Sequence, residues 1–346
     1  MDSKSNTLHT VAHLCILSFM IVLLTSLEAN AHIWQRQADA GKGTTRNISE
    51  IFQGRCHELI QCLQTDPECN ITRPTVVNCT AIWNEFLMAF QYKPPCNVPA
   101  DAYDQFIRMA LPITQADRTL FWSGLRDAAL NVARVSRYYK VIEESLPGYI
   151  ANNLTWCGNP DSVDGMNYEE CPSWGSCVNM SSAVQRFWPS ASKEFARQAT
   201  GKVYVALDAH RDTPFKNDSV FATIELPNLN PEKVTMVEIL LVPDITSPDV
   251  GEKCGEGSMK ELQRRLDKAG LKWTCNYDPL EFRFIQCTTL DNPLDYNACK
   301  GDAQYTEEII IIGAAMGAVI LILMIVVAIF IVQSCKGRCM EFDRLI

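Results

Sequence analysis

Twelve cysteines fall between Cys56 and Cys299, and an even number of cysteines in an exported stretch predicts a disulfide framework, here of up to six bridges. The C-x-x-C and C-x-x-C-H spacings of zinc and haem sites are missing from them, so no metal ligand set is expected. Whether the stretch is exported depends on two apolar runs. Leu14 to Leu27 follows a weakly basic start (Lys4, His9, His13), and Ala29-Asn30-Ala31 offers a small-x-small cleavage site. Residues 1–31 therefore read as a secretory signal, with an uncleaved anchor as the alternative because the run is long. The second run, Ile309 to Val332, has 24 residues without a charge, enough to cross a hydrocarbon core at about 1.5 Å per residue with some tilt.

Glu307 and Glu308 precede that run and Lys336, Arg338 and Arg344 follow it, which puts the C-terminus in the cytoplasm. The expectation is a single-pass type I membrane protein, in contact with lipid through 309–332 and followed by a tail, 333–346. Lipid-anchor signals end in their apolar tail, whereas this chain continues to Ile346. Asn-x-Ser/Thr sequons begin at Asn47, Asn70, Asn78, Asn153, Asn179 and Asn217, all in the expected exterior. A net charge of −9, with basic residues not gathered in runs, argues against nucleic acid as a partner. A local pocket for an anionic nucleotide stays open.

Residues 32–54 are polar and read as a flexible leading segment. Helical spacing then dominates a domain over 55–200, and a smaller α/β domain follows over 201–300. Between Leu120 and Val135, apolar residues recur at steps of three and four, one buried helical face, with Trp122 and Ser123 beside it. Tyr138 to Leu146 continues helical until Pro147-Gly148. Asn152 to Trp174 reads as a loop pinned by Cys157, Cys171 and Cys177. The next helix is expected to start after Trp188, with Pro189 at its first position, and to end before Gly201. Strand-like runs are Val203–Leu207, Phe221–Leu226, Met236–Val242 and Leu271–Cys275; a helix over Met259–Ala269 would serve as a parallel crossover.

Few residues offer chemistry. No Ser-His-Asp triad is arguable from His32, His57 and His210, and no Walker loop or G-x-G-x-x-G occurs. Glu225 stands alone in F-A-T-I-E-L-P-N-L-N-P-E-K-V (Phe221 to Val234), where an edge strand with a solvated Glu is the plain reading. Beside Trp122, Trp188 and Glu143 a second reading opens. A carboxylate walled by aromatic faces suits cleavage of a sugar–nitrogen bond, whose transition state is an oxocarbenium cation. Glu143 and Glu225 also read as the paired acids of a glycosidase.

G-Y-I-A-N-N-L-T-W-C-G (Gly148 to Gly158), N-Y-E-E-C-P-S-W (Asn167 to Trp174), F-W-S (Phe121 to Ser123), F-W-P-S-A-S-K-E-F-A (Phe187 to Ala196) and the Glu225 stretch occur in the order found in one family. The chain resembles the ADP-ribosyl cyclase / cyclic ADP-ribose hydrolase family from Cys56 to Cys299. That resemblance implies a helical domain beside one with a four-stranded parallel sheet, NAD and NADP as substrates, and no cofactor. It implies Glu225 as the catalytic acid, Trp122 and Trp188 as indoles that position nicotinamide and adenine, and Glu143 as a second acid that influences the product. Ser123, Ser192 and Phe221 match positions along the nucleotide path, and Asn152 matches one held by Asp or Asn. The products implied are cyclic ADP-ribose, ADP-ribose and, by base exchange on NADP, nicotinic acid adenine dinucleotide phosphate, which are calcium-mobilising messengers. Members tend to dimerise.

Two departures from the pattern are visible. Strongly cyclising members carry an aromatic five residues before the catalytic Glu, where this chain has Val220. Mammalian members bridge two cysteines where this chain has Ala116 and Thr200, and this chain instead has Cys62 and Cys69, expected to pair with each other. The resemblance suggests the remaining bridges: Cys56–Cys79, Cys96–Cys177, Cys157–Cys171, Cys254–Cys275 and Cys287–Cys299. In the tail, Cys335 and Cys339 fit palmitoylation as well as structural indifference, and Glu341 with Leu345-Ile346 fits an acidic dileucine sorting signal. The active site would then face the exterior or the lumen of an endolysosomal or granule compartment. A catalytically weak surface receptor or adhesion protein on the same fold is the alternative.

Overall fold

The computed structural model describes residues 43–65, 77–110, 114–177, 181–247 and 251–300. The signal, Cys69 with its expected bridge to Cys62, Asn70, Asn179, the apolar run 309–332 and the tail residues Cys335, Cys339, Glu341, Leu345 and Ile346 lie outside the described residues. Among the described residues, no helix is long and apolar enough to cross a membrane.

The chain order is α1 (Ile48–Thr65), α2 (Cys79–Met88), α3 (Asp104–Met109), β1 (Leu120–Ser123), α4 (Arg126–Ser136), α5 (Leu146–Ala151), α6 (Ala183–Gln198), β2 (Gly201–Asp208), β3 (Val234–Val242), α7 (Gly257–Lys268), β4 (Trp273–Tyr277) and α8 (Leu280–Thr288). Among the described residues two compact units form, each from two stretches of the chain: those within 43–110 with those within 147–190, and those within 114–146 with those within 191–300. Consecutive domains over 55–200 and 201–300 are what the sequence suggests. The arrangement differs because the strand at Leu120–Ser123 joins the sheet of the second unit.

The first unit is helical around aromatic rings. Phe86 of α2 lies 4.7 Å from Phe52 of α1, 5.0 Å from Trp156 and 5.8 Å from Phe187, centroid to centroid. Trp156 is fully buried, and its indole N–H donates to the Tyr103 hydroxyl at 2.8 Å, which removes the cost of burying both polar groups. In the W-C-G motif, Gly158 has no alternative, since a Cβ there would overlap the Phe90 carbonyl oxygen. Bridges Cys56–Cys79, Cys96–Cys177 and Cys157–Cys171 tie the unit. By chain entropy the second, closing 81 residues, contributes about 4 to 5 kcal/mol. Residues 43–54 are not a loose lead: Thr44 is buried, exchanges hydrogen bonds with the Cys157 backbone at 3.1 Å, and α1 begins at Ile48.

The second unit holds a sheet of order β1-β2-β3-β4, parallel throughout. β2 and β3 are central, and their near-continuous apolar runs (Val203 to Leu207, Ile239 to Val242) are buried. α7 makes the crossover from β3 to β4, burying Met259, Leu262 and Leu266 at helical spacing. Ala129, Val132 and Ala133 of α4 meet Phe282 and Ile285 of α8 in a core with Leu120, Tyr204 and Leu240. Bridges Cys254–Cys275 and Cys287–Cys299 close this unit's C-terminal half.

Five segments depart from expectation. Leu120–Ser123 is a strand rather than the start of a helix, because Gly124 at φ +83° interrupts the backbone before Arg126. Helix α4 stops at Arg137 (φ 51°); residues 138–141 are not helical, and Lys140 bridges Thr119. Pro147 and Gly148 do not end a helix but sit in the first turns of α5, where a missing N–H costs nothing. Helix α6 starts five residues before Trp188, at Ala183, through a capping box: Ser182 Oγ accepts from Gln185 N at 3.3 Å and Gln185 Oε1 from Ser182 N at 3.2 Å. Pro189 is interior. The fifth departure concerns Phe221–Leu226 and carries the site.

Candidate active site

Phe221–Glu225 is a π-helical turn that runs into one α turn, Leu226–Asn228, and not a strand. Ser219 starts it: its hydroxyl accepts from Ala222 N at 3.1 Å, and its carbonyl accepts from Thr223 N at 3.0 Å and Thr223 Oγ1 at 2.8 Å. Burial follows the turn. Phe221, Ala222, Glu225 and Leu226 are buried while Thr223 is exposed, a one-face helical pattern instead of alternation. The Leu226 N–H reaches back five residues to the Phe221 carbonyl, the register that defines a π turn, and such turns recur at functional sites.

Glu225 is only 6% exposed. The Ser192 hydroxyl of α6 is placed to hydrogen-bond its carboxyl, and its Oε2 makes no hydrogen bond at all. Burial pushes the carboxyl up to about 8; the Ser192 bond opposes this and the nearby Glu143 carboxylate adds to it. A buried, half-satisfied carboxyl costs stability unless something else uses it.

Glu143, 4% exposed, sits on the 3-10 turn Ile142–Glu144 that follows the Lys140 bridge. Burial raises its carboxyl above the ordinary range. Opposing that are its own backbone amide, the Trp122 indole N–H, 3.4 Å from Oε2, and the Arg126 guanidinium, 3.9 Å from Oε1. Strand β1 thus delivers Trp122 to Glu143 while Ser123, its neighbour on the opposite face, is buried. Val220 is half-buried and already helical at φ −57°.

Glu225, Glu143, Ser192, Trp122 and Ser123 therefore all belong to the second unit, and the first two feel each other's charge. Phe221 belongs there as well, but its ring is 1% exposed between Phe121 (6.0 Å) and Phe215 (6.4 Å), so it anchors the turn. Trp188 and Asn152 lie in the first unit. Trp188 is half-buried with its ring edge-on to Phe187 at 5.2 Å, and Asn152 follows α5, its carbonyl accepting from Arg55 at 2.6 Å. Arg126, 3.9 Å from Glu143, and Ser219, at the start of the turn, are neighbours of these carboxyls that the sequence does not single out. A Ser three residues before Ala222 was a readable cap, whereas nothing local marked Arg126.

A carboxyl held neutral by burial, beside a second acid and an indole, can become an anion when a cation approaches, and can then stabilise a positive sugar carbon. Residues 45–295 match the family model for ADP-ribosyl cyclase. Over 250 residues the chain is 34% identical to the Homo sapiens ADP-ribosyl cyclase/cyclic ADP-ribose hydrolase 2, covering 71% of this chain and 74% of the relative. It is 32% identical over 253 residues to the Aplysia californica ADP-ribosyl cyclase/cyclic ADP-ribose hydrolase, covering 72% and 85%. A crystal structure of Aplysia cyclase with the substrate NGD and the product cGDPR superposes with a TM-score of 0.66 at 31% identity, covering 74% of this chain and 98% of that one. Porcine CD38 with a covalent intermediate gives 0.61 at 32% identity, covering 69% and 99%.

Proposed function

This chain belongs to the ADP-ribosyl cyclase family, and from that membership and the Glu225 geometry we propose that it cleaves the nicotinamide–ribose bond of NAD, forming cyclic ADP-ribose and ADP-ribose. The observation that carries the reading is the half-satisfied, buried carboxyl of Glu225. In NAD the nicotinamide ring is a pyridinium cation. Its approach lowers the Glu225 pKa from about 8, so the proton leaves and an anion faces the ribose C1′. The C1′–N bond then breaks with its electron pair going to nicotinamide, which departs neutral. The Glu225 carboxylate stabilises the cation left at C1′, in a site where low dielectric strengthens the attraction.

Attack by adenine N1 of the same molecule gives cyclic ADP-ribose; attack by water gives ADP-ribose and releases a proton. Glu143, held by Trp122 and Arg126, sets how the nicotinamide end is seated and so biases that choice. Trp122 and Trp188 serve as stacking faces, with Trp188 one helical turn before Ser192 on α6. Val220 in place of an aromatic favours water over adenine. Base exchange on NADP follows from the same intermediate.

The setting is read from the sequence: export by 1–31, anchorage in lipid by 309–332, a short cytoplasmic tail, and an exterior or luminal active site. Five disulfides among the described residues suit an oxidising compartment, and the sequon asparagines Asn47, Asn78, Asn153 and Asn217 are exposed as glycan sites must be. Incubation of the membrane-bound protein with NAD, followed by chromatographic separation, tests the reading. Nicotinamide appearing with cyclic ADP-ribose and ADP-ribose supports it. Intact NAD would leave the receptor reading, and turnover of oligosaccharides alone would leave the glycosidase.

A further inference from the structure

The π turn leaves a carbonyl to be accounted for. With Leu226 N–H bonded to Phe221 O, the same register would give Ala222 O the N–H of residue 227, and Pro227 has none. Arg265 of α7 stands there instead, its Nη1 at a long 3.5 Å from Ala222 O. The rest of this guanidinium is held tightly. Nη2 donates to Asn217 Oδ1 at 2.8 Å, Nε donates to Glu261 Oε1 at 2.9 Å, and the guanidinium carbon lies 5.3 Å over the Phe215 ring. Phe215 in turn packs on Phe221 at 6.4 Å. One side chain therefore touches the segment at Phe215 and Asn217, where it leaves the surface, and again inside the turn at Ala222. Only the amide oxygen of Asn217 is used, which leaves its nitrogen available to a glycan.

We propose that Arg265 is a positioning residue for Glu225: by fastening Asn217 and the Ala222 carbonyl to α7 it fixes the π turn that aims the catalytic carboxyl. This rests on the reading of Glu225 as the catalytic acid. Lysine would not replace it, since a point charge on a flexible stem cannot bond Asn217, Glu261 and Ala222 in one plane. A control stands next to it. Arg264 also pairs with Glu261, at 2.7 Å, with its side chain 66% exposed.

The test compares Arg265→Gln with Arg264→Gln in the full-length protein in detergent micelles, by amide hydrogen exchange and by steady-state release of nicotinamide from NAD. Exchange across residues 217–226 should be about tenfold faster in Arg265→Gln than in Arg264→Gln, with the sheet unchanged. The value of kcat should fall about tenfold or more in Arg265→Gln, KM staying within about threefold, while Arg264→Gln keeps the wild-type kcat. Should Arg265→Gln not fold, Arg265→Lys replaces it, with a kcat loss of about threefold or more expected. Equal exchange and equal kcat in the two variants would overturn the proposal, as would a loss that only tracks a global fall in Tm. Wild-type protein that leaves NAD intact would refute the proposed function, and the exchange comparison would still decide the placement of Arg265.

Discussion

Replacing Glu225 by Gln should change how stability depends on pH, and the size of the change can be worked from the site. An ordinary glutamate carboxyl titrates at 4.5, whereas burial holds this one at about 8. Because the folded value is raised, the stability contributed by the neutral carboxyl is complete below 4.5 and is lost as pH rises through about 8. At about 1.4 kcal/mol per pKa unit, the wild-type protein has lost under about 1 kcal/mol at pH 5 and about 3 kcal/mol at pH 7. Gln has the same shape and no proton to lose. It leaves an amide N–H where Oε2 stood unpartnered, a cost of about 1 to 3 kcal/mol that does not vary with pH. The slope is thus the readout: the stability of Glu225→Gln relative to wild type should rise by about 2 kcal/mol between pH 5 and pH 7. Urea unfolding with disulfides intact, followed by tryptophan fluorescence at several pH values, measures it. A difference that stays flat from pH 5 to pH 8 would refute the claim that Glu225 is buried neutral.

The same raised carboxyl predicts that NAD binding at pH 7 releases close to one proton per site, seen by calorimetry in buffers of different ionisation enthalpy and absent in Glu225→Gln; no proton release in the wild type would contradict it. Glu143→Gln removes the carboxyl that Arg126 and Trp122 hold, and should alter the ratio of cyclic ADP-ribose to ADP-ribose by about threefold or more while nicotinamide release continues, as product chromatography would show. Val220→Phe should raise the cyclic share, measured with a hypoxanthine analogue of NAD whose cyclic product fluoresces; an unchanged share would remove Val220 from the account.

Motif order made the family legible in the sequence, through short ordered strings such as F-W-S and W-C-G, and with the family came the five bridges seen among the described residues. The central strands were legible from their apolar runs, since β2 and β3 are buried on both faces, and the α7 crossover from its amphipathic helical spacing. The turn at Phe221–Glu225 was not. Phe, Thr and Ile favour a pleat, and that local propensity masked the Ser219 cap and the one-face spacing of the buried residues. Trp122 reads as part of a helix for the opposite reason: apolar steps of three and four continue across Gly124, and only the glycine's backbone breaks them. The bond from Ser192 to Glu225 joins residues far apart in sequence, and no spacing rule reaches that distance.

Nicotinamide release from NAD by wild-type protein and by Glu225→Gln, both shown folded, tests the central claim most directly. A loss of about a thousandfold or more is expected when the anion facing C1′ is removed. Turnover by Glu225→Gln close to that of the wild type would take Glu225 out of the reaction.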